Sequence, residues 1–423
     1  MKKRLLSLLL AGAMVFALAA CNNNDNPSGG NTDPTDNPGT TVENAQGVTD
    51  TEVLVANTAA VSGAYASVGL PFLAAIEAYF EMVNSEGGID GRKITFLHED
   101  DEFDPQKGRA YLQQMVEDEK VFAIVGHFGT PVVSATLDDL KSYGIPSVYF
   151  ATGIGQLFAE NATTNEEGYN IFPIQPLYIT EGQVMVARGV GNFDAKKIGV
   201  IYTNDDAGMN MLEGAEAKAA ELGVELVSAQ VTPGATDVSA AVTSIKGEGV
   251  DFVIVAAIQA TMPTIVKEMA NQNMTVPAIT TYVCAAVSIT EQIAADIAGK
   301  FDVYASSWKI RDEDHADDVA AFTEWMPEEY VENTDAESGW VAAHVFCEGL
   351  RRLEGEAVTW ESYMAALEEA PIEIPFGGSI DFSNGQRMGV QSMLLSKCNP
   401  DVEGGWEVVY PMEDMATIVA NAQ

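Results

Sequence analysis

The feature that most restricts how this chain can fold is a regular alternation of short β-branched runs with amphipathic stretches of helical period. Residues 52–58, 94–98, 121–125 and 146–150 read as strands. Between them, 71–84, 105–119 and 131–143 read as helices; in the first, Phe72, Ile76, Tyr79, Phe80 and Val83 recur near helical spacing. The rhythm resumes after Tyr178, with helices predicted at 181–190, 209–222 and 238–246 and strands at 197–202, 224–231 and 251–256. Such alternation requires parallel sheets covered by helices on both faces. The body from residue 51 onward is also longer than one core ordinarily serves, so two domains are expected. The halves echo each other: 94–125 runs strand, loop, helix, strand and ends in VFAIV, and 224–256 repeats that order and ends in DFVIV. The predicted fold class is α/β, with two similar doubly wound parallel-sheet lobes.

The N-terminal region has a different chemistry. Lys2, Lys3 and Arg4 precede an apolar run over 5–20 that is short for a membrane span and closes in small residues, the pattern of a cleavable export signal. Leu18-Ala19-Ala20-Cys21 resembles the lipobox of bacterial lipoproteins, in which the cysteine becomes the lipidated N-terminus. Residues 1–20 are therefore read as a signal peptide, and 21–50 as a lipidated tether. The segment 22–50 is so rich in Asn, Asp, Pro, Gly and Thr that it cannot offset chain entropy by burial. No second run reads as a membrane span. The expected location is the outer face of a bacterial cytoplasmic membrane.

Charge narrows the partners. With 22 basic against 62 acidic residues the net charge is −40, which argues against nucleic acid, whose phosphates need a basic footprint, and against adhesion to an anionic membrane surface. After Cys21 only Cys284, Cys347 and Cys398 remain, an odd set without metal spacing.

From residue 51 to 125 the chain resembles a known family. Ser62-Gly63-Ala64-Tyr65 is followed by Asn84-Ser85-Glu86-Gly87-Gly88-Ile89-Asp90-Gly91-Arg92-Lys93-Ile94, then by Asp100-Asp101-Glu102-Phe103-Asp104-Pro105 and Ile124-Val125-Gly126. This order and spacing resembles the leucine/isoleucine/valine-type periplasmic binding proteins, substrate-binding components of ABC transporters with the type I periplasmic-binding fold. Within the run, Asp104 before Pro105 suits an N-cap and first helical residue, a scaffold role. The resemblance implies a three-segment hinge, with crossings placed near Gln175, Ser306 and Gly377. One lobe would hold 51–175 and 306–377, and the other 176–305 and 378–423. It also implies a monomer that captures an amino acid or related small carboxylate by hinge closure and docks on ABC permease subunits, with no cofactor.

In open α/β sheets ligands bind beyond the carboxyl ends of the strands, so two facing sheets would make one cleft. Phe128, Gly129 and Thr130 end one strand and open a helix, whose free N–H groups favour a carboxylate. Thr130 can cap that helix, with Pro131 at its first position removing one donor from the cradle. The resemblance gives the carboxylate to Thr130, by hydroxyl and N–H, and to the loop Ala151-Thr152-Gly153. Tyr65, after the first strand, and Trp340, near the start of a helix predicted at 338–353, are candidates for an apolar wall. Tyr178, Asp205, Asp206, Gln259 and Tyr282 fall at or near strand ends of the second lobe. Amino-acid-binding relatives place an acid near position 283 to pair the ligand ammonium. Here the segment Thr280-Thr281-Tyr282-Val283-Cys284-Ala285 has none. Either Asp205 or Asp206 substitutes, or the ligand lacks an amino group.

The four histidines, His98, His127, His315 and His344, form no metal pair, and His127 reads as a buried structural residue. No nucleophile elbow, Walker loop or dinucleotide fingerprint is present, which disfavours an exported hydrolase. A sensory receptor domain of the same fold is the competing functional reading.

Overall fold

The computed structural model describes residues 43–164 and 166–422. The predicted signal peptide, Cys21 and most of the tether lie outside the described residues. The tether's last segment does not behave as its composition suggests. Ala45 N–H donates to Val358 O (2.8 Å), Asn44 accepts from Val358 N–H (3.0 Å) and Gln46 donates to Val121 O (3.0 Å). Backbone and amide hydrogen bonds, together with the packing of Ala45 against the core, hold 44–46 against the body.

The first sheet comprises β1 (Glu52–Ala59), β2 (Lys93–Asp100), β3 (Ala123–Phe128), β4 (Ser147–Ala151) and β5 (Ile171–Phe172), in the order β2-β1-β3-β4-β5, all parallel. Its helices include α1 (Ala66–Ser85), α2 (Pro105–Gln113) and α3 (Thr130–Tyr143). Asp104 caps α2 as the sequence predicts, accepting from Gln106 N–H (2.8 Å) ahead of Pro105. α1 starts five residues before Pro71, the predicted start, and carries that proline inside it. By length and composition α1 and the turn before it could cross a membrane, contrary to the sequence reading, but its apolar surface packs into this core.

The second lobe follows as α4 (Tyr178–Phe193), β6 (Lys197–Thr203), α5 (Asp206–Leu222), β7 (Glu225–Val231), α6 (Ser239–Gly247), β8 (Phe252–Ala256), α7 (Met262–Asn271), β9 (Ala278–Thr280), α8 (Val287–Ile297) and β10 (Val303–Ser307). Along β8, Phe252, Ile254 and Ala256 enter one apolar cluster and Val253 and Val255 another, so the strand is buried on both faces. This is why it reads as an unbroken apolar run.

The chain then returns to the first lobe with α9 (Ala316–Trp325), α10 (Thr334–Arg351) and α11 (Trp360–Glu368), α10 packing along α1. A two-stranded ribbon, β11 (Ile372–Glu373) and β12 (Ser379–Ile380), follows, and the chain stays on the first lobe beyond the expected crossing at Gly377: Phe382 packs on Phe172 (5.1 Å) and Arg387 pairs with Glu368 (2.7 Å), so the return to the second sheet falls near Val390, whose N–H donates to Ile174 O (2.8 Å). There β13 (Ser392–Cys398), β14 (Trp406–Asp414) and α12 (Met415–Asn421) close the fold. The second sheet is ordered β14-β13-β10-β9-β8-β6-β7. Its five strands from β10 to the edge strand β7 are parallel, whereas β13 and β14 add an antiparallel margin that the alternation pattern does not announce.

Both sheets reverse their strand order internally, between β1 and β3 in the first and between β8 and β6 in the second. Reversal points of this kind leave a crevice at the carboxyl ends of the strands. Here the two crevices meet.

Candidate functional site

The cleft begins with a kink in the first sheet. Gly126 in β3 (φ +75°) and Tyr149 in β4 (φ +66°) both adopt left-handed backbone inside parallel strands. Asn57 donates to the turned carbonyl of Gly126 (3.0 Å), so the irregularity leaves no orphaned group there. Beyond it, Phe128, Gly129 and Thr130 run from β3 into α3, and Ala151 ends β4.

A second strained loop supplies the apolar wall. After β2, Glu102 (φ +54°) and Phe103 (φ +65°) take left-handed conformations that side-chain-bearing residues avoid. Asp101, fully buried, holds this turn by accepting from Phe103 N–H (2.8 Å), and burial pushes its carboxyl up to about 6. The ring of Phe103 thereby stacks on Tyr65 (centroids 3.7 Å, 17°) and meets Phe128 edge-on (6.3 Å). Gly129, at φ +91°, lies directly beneath: a Cβ there would sit 2.5 Å from the Phe103 ring.

Thr130 is the first residue of α3, and Gly129 occupies the N-cap position. The predicted capping role of Thr130 is therefore corrected: its hydroxyl lies 2.8 Å from that of Thr152, and no side chain caps the helix. If Thr152 donates in that pair, the Thr130 proton is left for a ligand, alongside the unpaired N–H groups at the helix start.

From the second lobe come Ile258 and Gln259 after β8, Tyr282, Val283 and Ala285 after β9, and Ser307, Trp308 and Lys309 at and beyond the end of β10. Glu181 fixes the Tyr282 loop, accepting from Thr281 Oγ1–H and Tyr282 N–H (both 2.7 Å). Burial pushes the Glu181 carboxyl up to about 8, against the pull of these two donors. The Tyr282 hydroxyl donates to Pro176 O (2.9 Å), joining this loop to the segment that links the lobes.

These residues, with Val68, Phe72, Gln175, Tyr178, Thr334, Asp335 and Ser338, line one cavity between the sheets. The lining contains no histidine and no cysteine. Direct bonds close the gap around it: Thr334 Oγ1–H donates to Ala285 O (3.0 Å), Ser134 to Asp206 (2.5 Å) and Gly155 N–H to Asn210 Oδ1 (2.7 Å).

Of the residues singled out from the sequence, Tyr65, Phe128, Gly129, Thr130, Ala151, Tyr178, Gln259 and Tyr282 line this cavity. Thr152 stands behind Thr130. Gly153 is packed against the interlobe segment, where a Cβ would come within 2.3 Å of Pro176 O. Asp206 is held by Ser134, and Asp205 caps α5 by accepting from Gly208 N–H (3.0 Å), so neither acid reaches the cavity. Trp340 belongs to the core: its ring meets Tyr79 (4.9 Å) and Phe322 (5.5 Å) edge-on, because its position on α10 faces α1 and α9. His127 is buried, 2.8 Å from Thr136 Oγ1, and lies outside the lining.

The sequence reading missed Phe72, Phe103, Gln175, Trp308, Lys309, Asp335 and Ser338. Phe103 carried a signal, since it lies in the acidic loop after a predicted strand. Asp335 carried none, being one acid among several at a helix start.

Residues 52–404 match the periplasmic binding protein family, and the chain belongs to it. An amino acid binding protein of Pseudomonas aeruginosa is 28% identical over 216 residues, spanning 51% of this chain and 56% of that protein. Leu/Ile/Val-binding protein homolog 2 of Brucella abortus is 26% identical over 230 residues, 54% of this chain and 60% of that protein. The chain thus aligns with only a little over half the length of these curated relatives. Solved structures share the fold at low identity. A fatty acid ABC transporter substrate-binding protein from Thermomonospora curvata gives a TM-score of 0.75 at 19% identity, covering 91% of this chain and 97% of its own. A branched chain amino acid ABC transporter protein from Thermus thermophilus with bound valine gives 0.75 at 17%, covering 88% and 98%. A solute binding protein from R. palustris in complex with benzoate gives 0.70 at 20%, covering 86% and 98%.

Proposed function

We propose that this chain is the capture component of an ABC importer, held outside the cytoplasmic membrane by lipid on Cys21 and acting as a monomer. It takes an amino acid or a related small carboxylate into the interlobe cavity and hands it to permease subunits. The lobes divide at three crossings, near Gln175, Ser306 and Gly389, and closure about them traps the ligand. One observation carries this reading: the cavity lies beyond the carboxyl ends of strands from both sheets, with the start of α3 and the Thr130 hydroxyl on its wall. A ligand touching both lobes stabilises the closed form over the open one, which is the differential affinity that closure requires. The aromatic wall suits an apolar ligand body. The sequence relatives point to amino acids, and the structural neighbours include one with bound valine, one in complex with benzoate and one named as a fatty acid ABC transporter substrate-binding protein.

Titration calorimetry against amino acids and small carboxylates tests the reading. Thr130→Ala is expected to weaken the ligand that binds by about ten- to a hundredfold, the weight of one hydrogen bond to a charged group. Unchanged affinity in that variant would place the carboxylate elsewhere. Cys21→Ser is expected to release the protein from the membrane fraction.

A further inference from the structure

A cavity that takes an amino acid must answer its ammonium, and this one already holds an ammonium of its own. Lys309, in the segment that leaves β10, is the one basic residue in the lining, and its side chain is buried. Its Nζ donates to Ser338 Oγ (2.8 Å) and to Thr334 O, and lies 3.5 Å from the buried carboxylate of Glu337. An ammonium carries three donors, so these contacts occupy the whole set. Nζ also stands over the Trp308 ring, 5.2 Å from its centroid, and that ring lines the same cavity. Carbonyl, hydroxyl, carboxylate and aromatic face are the partners a ligand ammonium would seek, and here the lysine has them.

The acids nearby leave little for a second cation. Glu337 is countered by Arg311 (2.6 Å) as well as by Lys309. Asp335, the one acid in the lining, is pushed by burial up to about 7, against the pull of the Lys309 charge. From the second lobe, Asp205 and Asp206 are held outside the lining. An ammonium brought in by a ligand would therefore meet Lys309 at short range, where little water screens the repulsion. An anion meets no such barrier: the start of α3 and Thr130 favour it, and the rings of Tyr65, Phe103 and Phe128 offer an apolar body its wall. We propose that Lys309 determines specificity by occupying the place of a ligand ammonium, so that the cavity takes an apolar carboxylate without a cationic nitrogen in preference to the matching amino acid. This rests on the carboxylate reading of Thr130 and narrows it to one chemical class.

The test uses the full-length protein and matched pairs of probes in calorimetry: 3-phenylpropionate with phenylalanine, 4-methylpentanoate with leucine, and hexanoate with norleucine. In at least one pair the plain carboxylate is expected to bind about thirtyfold or more tighter than its amino acid, and to lose affinity in Thr130→Ala. Lys309→Gln keeps an N–H donor and drops the charge, and should shrink that ratio to about threefold or less. A ratio that stays at its wild-type value in Lys309→Gln would place the selectivity elsewhere. The wild-type ratio needs no variant, so it can sink the proposal even if Lys309→Gln folds poorly. Should an amino acid bind as tightly as its plain carboxylate, or tighter, and lose affinity in Thr130→Ala, the cleft reading stands and the Lys309 assignment fails. Binding of no probe would overturn both.

Discussion

The two walls of the cleft are built by different means. The first-lobe wall relies on backbone conformations that most residues avoid: Glu102, Phe103 and Tyr149 at positive φ, and Gly129 at φ +91° beneath the Phe103 ring. The second-lobe wall uses ordinary turns, and one buried carboxylate, Glu181, pins its Tyr282 loop through two short hydrogen bonds. Strained backbone persists only where the surrounding structure over-determines it, which suits a surface that must hold fixed geometry. A loop hung on a buried acid is open to control by protonation, and the second wall is the more exposed to it, because burial pushes Glu181 up to about 8 and Asp101, behind the Phe103 turn, only to about 6. The comparison teaches that fixed backbone geometry is concentrated in the first-lobe wall, while the second-lobe wall depends on one buried carboxyl.

The largest expected effect is a pH dependence that is greater for the second wall, through Glu181, than for the first, through Asp101. An acid whose pKa rises on folding lends its full stability below the unfolded value, near 4.5, and that stability is lost as pH climbs toward 8. At roughly 1.4 kcal/mol per pH unit the loss reaches several kcal/mol. Glu181→Gln can keep both hydrogen bonds if Thr281 turns from donor to acceptor. Its melting temperature is expected to vary less than the parent's between pH 4.5 and 8. Parallel curves for the two proteins would show that Glu181 does not govern the second wall.

A smaller effect is expected from Gly129→Ala, which adds a Cβ against the Phe103 ring and forces an unfavourable φ, together costing about 1–3 kcal/mol. Affinity should fall about ten- to a hundredfold with a modest loss of thermal stability. An unaltered affinity would mean that the first wall tolerates movement and is not the geometric reference. Smallest is Ser134→Ala, which removes the bond to Asp206 between the lobes. Worth about 1 kcal/mol, that bond should contribute a few-fold to affinity, accompanied by a more open small-angle scattering profile without ligand. Tighter binding in this variant would show the contact resisting closure.

Much of the site was legible because strand ends are legible. The run from 121 to 131 places Thr130 at the start of a helix from composition alone, as α3 has it. The capping residue was misplaced by one because the φ of Gly129 follows from the ring above it, and that ring belongs to a loop 26 positions earlier. Trp340 and Trp308 show the same boundary. Helical spacing marks Trp340 as facing inward but cannot say that it faces α1 and α9 rather than the cavity, and Trp308 follows a strand, β10, that pattern reading had not located.

Local chemistry written into the chain therefore determined the alternation of strands and helices, the presence of two sheets and the Asp104 cap, because each depends on neighbours a few residues apart. Tertiary structure alone decided that Asp335 enters the cavity while Asp205 and Asp206 do not, and that β13 and β14 close the second sheet antiparallel. Those outcomes turn on which distant surfaces meet when the chain returns between lobes, and no local periodicity encodes that meeting.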